Sequence, residues 1–185
     1  MSDELVRRSQ HGDRAAYAEL VGPLQEGLYN LALRSLGDPE DARDVVQESL
    51  LRAWVGLPAL VDRQTFAGWL YRIAVHHCQN RARSRRRHPV ASLDDNVVHL
   101  GADDPEGSVI RREQRRELAD ALLRVTTEIR LAVVLRDING LSYAEIADAL
   151  QVPVGTVRSR LSRGRAELRR HLTAASGTQT ERPAR

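Results

Sequence analysis

The chain has 185 residues, of which 42% are hydrophobic and 29% charged, a composition that suits one globular domain or two small ones. No apolar run approaches the ~20 residues that span a bilayer, and the first residues form no apolar signal, so the expected place is the cytoplasm, without membrane insertion. The single cysteine, Cys78, excludes an internal disulfide and argues against a thiolate zinc site, and no cofactor or metal is expected.

All 28 basic residues are arginine, and their distribution is uneven. Residues 1–80 carry a net −3, residues 81–88 carry +5, residues 89–110 carry −5, and residues 151–185 carry +6. Two basic blocks separated by an acidic spacer suggest two nucleic-acid contacts rather than one broad basic surface.

No strand-like alternation persists, and helical spacing dominates, so an all-α fold of two small helical domains is expected. A first helix runs from Ser2 to His11. A second runs from Asp13 to Leu36 and is closed by Gly37. Asp38-Pro39 opens a third in the usual cap-then-proline order. In it Ala42, Val45, Val46, Ser49, Leu50, Ala53 and Trp54 recur at core spacing. Asp44, Gln47, Glu48 and Leu51 form a second stripe. It reads either as a solvated face with one stray leucine or as a protein contact anchored by Leu51.

From Thr65 a fourth helix carries Phe66, Trp69, Leu70, Ile73, Ala74 and His77 on a core stripe. Arg72, His76, Gln79, Asn80 and Arg83 lie on a polar stripe that leads into Arg85, Arg86 and Arg87. Aromatics beside a basic helix suit unpaired bases. His76, His77 and Cys78 are adjacent in sequence, which is poor metal-ligand spacing. Residues 89–107 lose periodicity and collect Asp, Gly and Pro, so they read as a flexible acidic linker able to reach roughly 65 Å. Helices resume near Ser108, with turns at Val125-Thr126-Thr127 and Asn139-Gly140. Residues 173–185 read as a disordered tail.

The densest signal is a helix-turn-helix. Ser142 and Glu145 form a capping box, Ile146, Ala147 and Leu150 give an apolar face, and Val152-Pro153 breaks the helix. The second helix places Val157, Leu161 and Leu168 on one side. Six arginines lie between Arg158 and Arg170 against one acid, Glu167, as a recognition helix in a major groove requires.

Four segments in order resemble a bacterial RNA polymerase sigma factor of the extracytoplasmic-function (ECF) group. They are Asp44 to Trp54 (DVVQESLLRAW), Thr65 to Ala74 (TFAGWLYRIA), Gly140 to Ala147 (GLSYAEIA) and Pro153 to Leu161 (PVGTVRSRL). The resemblance implies region 2 over residues 1–88, a linker over 89–107 and region 4 over 108–172. It implies that Asp44, Gln47, Glu48 and Leu51 dock on the clamp helices of the largest polymerase subunit, while region 4 meets the flap. It assigns the −10 element to Leu60 and Val61 in a base-capture loop and to Arg72, His76, Gln79, Asn80 and Arg83. It assigns the −35 element to Thr156, Arg158, Ser159, Arg160 and Arg163. An anti-sigma partner is implied by family analogy alone. This chain departs from the family pattern at Leu60-Val61, where Phe-Arg is frequent, and at His76 and Asn80, where Asn and Asp are frequent. These positions bear on −10 base preference.

The alternative is a freestanding helix-turn-helix regulator. It would not need the Asp44/Gln47/Glu48/Leu51 stripe, and no dimerisation element is evident. A DNA-processing enzyme is disfavoured, because no nucleophile–base set or metal-binding carboxylate cluster falls on a rigid element. The isolated protein is expected to bind promoter duplex poorly, with acidic residues 89–110 competing for the basic blocks.

Overall fold

The computed structural model describes residues 2–87 and 109–179. The linker expected over 89–107 and the last residues of the chain lie outside them. Among the described residues the fold is all-α, as expected. The helices are α1 (Ser2–Gln10), α2 (Arg14–Leu36), α3 (Pro39–Gly56), α4 (Phe66–Arg87), α5 (Val109–Arg124), α6 (Thr127–Val133), α7 (Tyr143–Leu150) and α8 (Val154–Gln179). A π-helical segment, Val134–Ile138, continues α6. Helix α8 runs seven residues past Leu172, where the loss of apolar spacing suggested an end.

The boundaries follow local chemistry. The Asp13 carboxylate accepts from the Ala16 amide and starts α2. Gly37 ends α2 at φ 74°, and its amide donates to the Leu33 carbonyl. Asp38 accepts from the amides of Glu40 and Asp41 ahead of Pro39, which fixes the start of α3. Both bonds of the Ser142–Glu145 capping box are present at α7. Gln151 then takes the left-handed conformation, φ 52°, that turns the chain into α8.

Helices α1 to α4 pack around Leu28, Leu31, Ala42, Ala53, Leu57, Phe66 and Leu70, all buried. Helices α5 to α8 pack around Leu122, Leu131, Leu135, Ile146, Val157 and Leu161, also buried. The two groups touch. Helix α4 lies against α7, and α2 meets α5, α6 and the π-helical segment. Tyr71, Val75 and Cys78 are buried on α4 although they fall outside its first core stripe. The apolar core is continuous from one half to the other.

Candidate nucleic-acid interface

The recognition helix is held by one face. Val157 and Leu161 are buried, and Gly164 brings α8 tightly onto α6. A Cβ at Gly164 would lie 2.5 Å from Val133 Cγ2 and 2.8 Å from Ile129 Cγ2. On the other face Arg158, Ser159 and Arg163 are exposed, while Thr156 and Arg160 are half-buried. Ser159 Oγ donates to the Thr156 carbonyl at 2.9 Å, so this hydroxyl serves its own helix. Arg158, Arg160 and Arg163 make no ion pair with any described residue and remain available to an outside anion. Arg165 differs: it grips Asp137 in a two-bond pair at 2.5 and 3.1 Å. The arginine-rich stretch thus divides into a set without ion pairs among the described residues and at least one structural member.

On α4, His76 and Asn80 are exposed, as is Arg83. They form a ladder: Asn80 Nδ2 donates to His76 Nε2 at 2.8 Å, and Arg83 donates to Asn80 Oδ1 at 3.2 Å. Gln79 is half-buried beside them. Arg72 stands apart from this ladder, 3.8 Å from the Asp148 carboxylate of α7.

The loop between α3 and α4 separates Leu60 from Val61. Leu60 packs against the core, whereas Val61 is 96% exposed. Gln10 of α1 clips the loop, because its Nε2 donates to the carbonyls of Leu57 and Leu60 at 3.2 and 2.8 Å. Arg63 in turn donates to Gln10 Oε1 at 3.0 Å. Sequence reading missed Gln10, and nothing in its neighbours announces a contact about fifty residues away.

On α3 the second stripe faces outward. Asp44 and Gln47 are exposed, Glu48 is half-buried, and Leu51 is 55% exposed. Val55, one turn further, is 79% exposed and extends the apolar strip. Tyr17 and Trp54 back it, edge to face with ring centroids 5.0 Å apart, and the Tyr17 hydroxyl donates to the Leu50 carbonyl at 2.6 Å. Arg81 of α4 reaches across to Asp41 at 2.7 Å and to Asp44 at 2.6 Å. The α3 stripe and the α4 ladder therefore share a groove lined by Asp44, Gln47, Glu48, Leu51, Asn80 and Arg81.

No group of three or more His, Cys, Asp or Glu side chains suited to a metal ion occurs among the described residues. Cys78 is fully buried, and burial pushes its thiol up to about 12, which keeps it neutral and unreactive. No helix among the described residues is long and apolar enough to cross a membrane.

The described residues thus form two helical units, one with an outward stripe and a polar ladder and the other with a helix-turn-helix. The sigma-70 region 2 family model matches residues 20–88, and the sigma-70 region 4 model matches residues 115–168. The chain is 32% identical to the ECF RNA polymerase sigma factor SigW of Bacillus subtilis over 183 residues, covering 93% of this chain and 97% of that protein. It is 34% identical to the RNA polymerase sigma-H factor of Pseudomonas aeruginosa over 171 residues, covering 88% and 89%. Among solved structures it resembles CnrH in complex with the cytosolic domain of CnrY, with a TM-score of 0.71 and 27% identity over 94% of this chain and 97% of that one. The chain belongs to the ECF RNA polymerase sigma factors, which are transcription initiation factors.

Proposed function

We propose that this sigma factor docks on the clamp helices of core RNA polymerase through Asp44, Gln47, Glu48 and Leu51 of α3. It reads the −10 element with Val61, Arg72, His76, Gln79, Asn80 and Arg83, and the −35 element with Arg158, Arg160 and Arg163. Region 2 then occupies residues 1–88, region 4 residues 108–172, and the acidic stretch between them lets the two part on DNA. Region 4 meets the flap. The chain works in the cytoplasm, where polymerase is.

The observation that carries the docking assignment is Leu51, a leucine more than half exposed on the stripe opposite the packed side of α3. Its polar neighbours supply the rim that surrounds an apolar anchor. The named relatives favour this reading over the freestanding regulator. One solved neighbour is described as the sigma factor RpoE with the anti-sigma factor NepR from Bartonella quintana, which makes an anti-sigma partner part of the proposal here.

The test is co-purification of the Gln47→Ala/Leu51→Ala double variant with core polymerase, with circular dichroism as the folding control. Both side chains point to solvent, so helix content should persist while polymerase binding drops. Wild-type binding by the folded variant would remove the docking assignment.

A further inference from the structure

The loop that displays Val61 is fixed by α1, a helix that carries none of the proposed polymerase or DNA contacts. Val6 of α1 is fully buried and seats the helix in the core. Arg8 donates to Asp13, the cap of α2, at 2.9 and 2.6 Å, which ties the end of α1 to the start of α2. Gln10, the last residue of α1, therefore reaches out from a firm base.

The Gln10 amide can point only one way. Its Nε2 faces the carbonyls of Leu57 and Leu60 at 3.2 and 2.8 Å, and both of these only accept. Its Oε1 faces Arg63 Nε at 3.0 Å, which only donates. A flipped amide would set donor against donor and acceptor against acceptor. One side chain thus grips the entry and the exit of the loop over residues 57–63.

Val61 sits between two held neighbours. The carbonyl before it, from Leu60, accepts from Gln10. The carbonyl after it, from Asp62, accepts from Thr65 Oγ1 at 2.7 Å and from the Thr65 amide at 3.3 Å. The Leu60 side chain packs on the core. Val61 is therefore 96% exposed on a backbone pinned at both sides. Order that the fold supplies is order that a binding step need not supply. On the assignment of Val61 to −10 base capture above, we infer that Gln10 is a positioning residue for promoter recognition. Its hydrogen bonds hold the loop in the shape that receives an unpaired base, and it acts through the loop backbone without a DNA contact of its own. Gln10 is half-buried, so water can reach the carbonyls it would leave. Its removal then costs the fold little and costs the loop its fixed shape.

The test uses the full chain, alone and with core polymerase, as wild type, Gln10→Ala and Gln10→Glu. Glutamate keeps an oxygen for Arg63 but turns an acceptor toward the two carbonyls, so it loses the grip on the loop alone. In the wild-type chain the Val61 and Asp62 amides should show order parameters of ~0.85, and in both variants these should fall below ~0.6. With polymerase, both variants should bind core and keep −35 preference as wild type does. Discrimination among bases at the captured −10 position should fall about tenfold, the effect of losing two neutral hydrogen bonds. A wild-type loop already mobile at Val61 would overturn the positioning role. So would wild-type −10 discrimination in both variants, or in Gln10→Glu alone. Loss of −10 and −35 discrimination together with a lowered Tm would mark a merely structural residue and overturn it too. Val61→Ala separates the two assignments. If it alters −10 preference while the Gln10 variants do not, base capture stands and the role of Gln10 falls. If it leaves −10 preference unchanged, base capture by this loop falls and takes the role of Gln10 with it.

Discussion

Replacing Gly164 with alanine tests how tightly the recognition helix is seated. The new methyl would meet Val133 Cγ2 at 2.5 Å and Ile129 Cγ2 at 2.8 Å, both far inside van der Waals contact. Val133 is 3% exposed and has little room to retreat. Overpacking of this kind costs roughly 1–3 kcal/mol, and alanine returns up to about 1 kcal/mol of helix propensity. The net expectation is a destabilisation of about 1 kcal/mol, or a fall in Tm of roughly 2–4 °C for a chain of this size. Gly155 is the matched control in the same helix, because a Cβ there meets nothing within 4 Å. Gly155→Ala should raise stability by about 0.5–1 kcal/mol. Thermal unfolding of both variants, with Val133→Ala and the Gly164→Ala/Val133→Ala double, completes the experiment. The double should lose less than the sum of its singles, because Val133→Ala removes the clashing methyl. If Gly164→Ala melts at or above the Gly155→Ala variant, the α6–α8 crossing is soft and the steric argument fails.

In the loop ahead of α4, Val61→Ala should change −10 base preference in a promoter library with no loss of Tm, whereas Leu60→Ala should lower Tm because Leu60 packs on the core. Loss of stability in both would put Val61 in the fold instead. At the −35 face, Arg158→Ala or Arg163→Ala should cost about 1–3 kcal/mol at one promoter position if the arginine reads a base, or weaken all sequences alike if it meets phosphate. Wild-type −35 preference in both variants would move the reading face elsewhere. Cys78 should resist a thiol reagent in the native protein at pH 8 and react on unfolding, since its thiol lies at about 12. Glu145 is held below its ordinary range, first by its bond to the Ser142 side chain and then by the Ser142 backbone. Its folded value lies below the unfolded one, so the capping box contributes fully above ~4.5 and its contribution is lost as pH falls through the folded value. Amide exchange in α7 should report this loss, and Glu145→Gln should remove its pH dependence.

Much of the fold was legible because local chemistry set it. Asp13, Gly37, Asp38-Pro39 and the Ser142–Glu145 box mark helix ends that the structure reproduces within a residue or two. The outward stripe of α3 was legible as a spacing, but its reading needed the exposure of Leu51. What stayed hidden was non-local. Tyr71, Val75 and Cys78 look like off-stripe residues of an amphipathic helix, yet all three are buried in the fold. Arg130 reads as one more surface arginine, although its fork closes three helix-end carbonyls. Asn139 reads as half of an Asn-Gly turn, and only the π-helical segment turns its amide toward α2. Leu60 and Val61 are neighbours of like chemistry, and no pattern in the sequence says which one faces solvent.

The placement of Arg81 links two surfaces that a sequence reading keeps apart. Its guanidinium spans Asp41 and Asp44, and so ties the outward stripe of α3 to α4, the helix proposed to meet the −10 element. Side-chain exposures of 41% and 65% for Arg81 and Asp44 mean that the pair itself is worth little in water. Its importance lies in position. A partner that covers the α3 stripe desolvates Asp44, and the same event strengthens or breaks the bond to α4. On the proposed assignments, docking and −10 contact are then expected to be coupled through one arginine. Arg81→Ala should therefore alter both, while Arg52→Ala, whose pair with Glu48 stays within α3, should alter docking alone. Measured side by side for polymerase affinity and −10 preference, two variants with the same profile would show that the groove carries no such coupling.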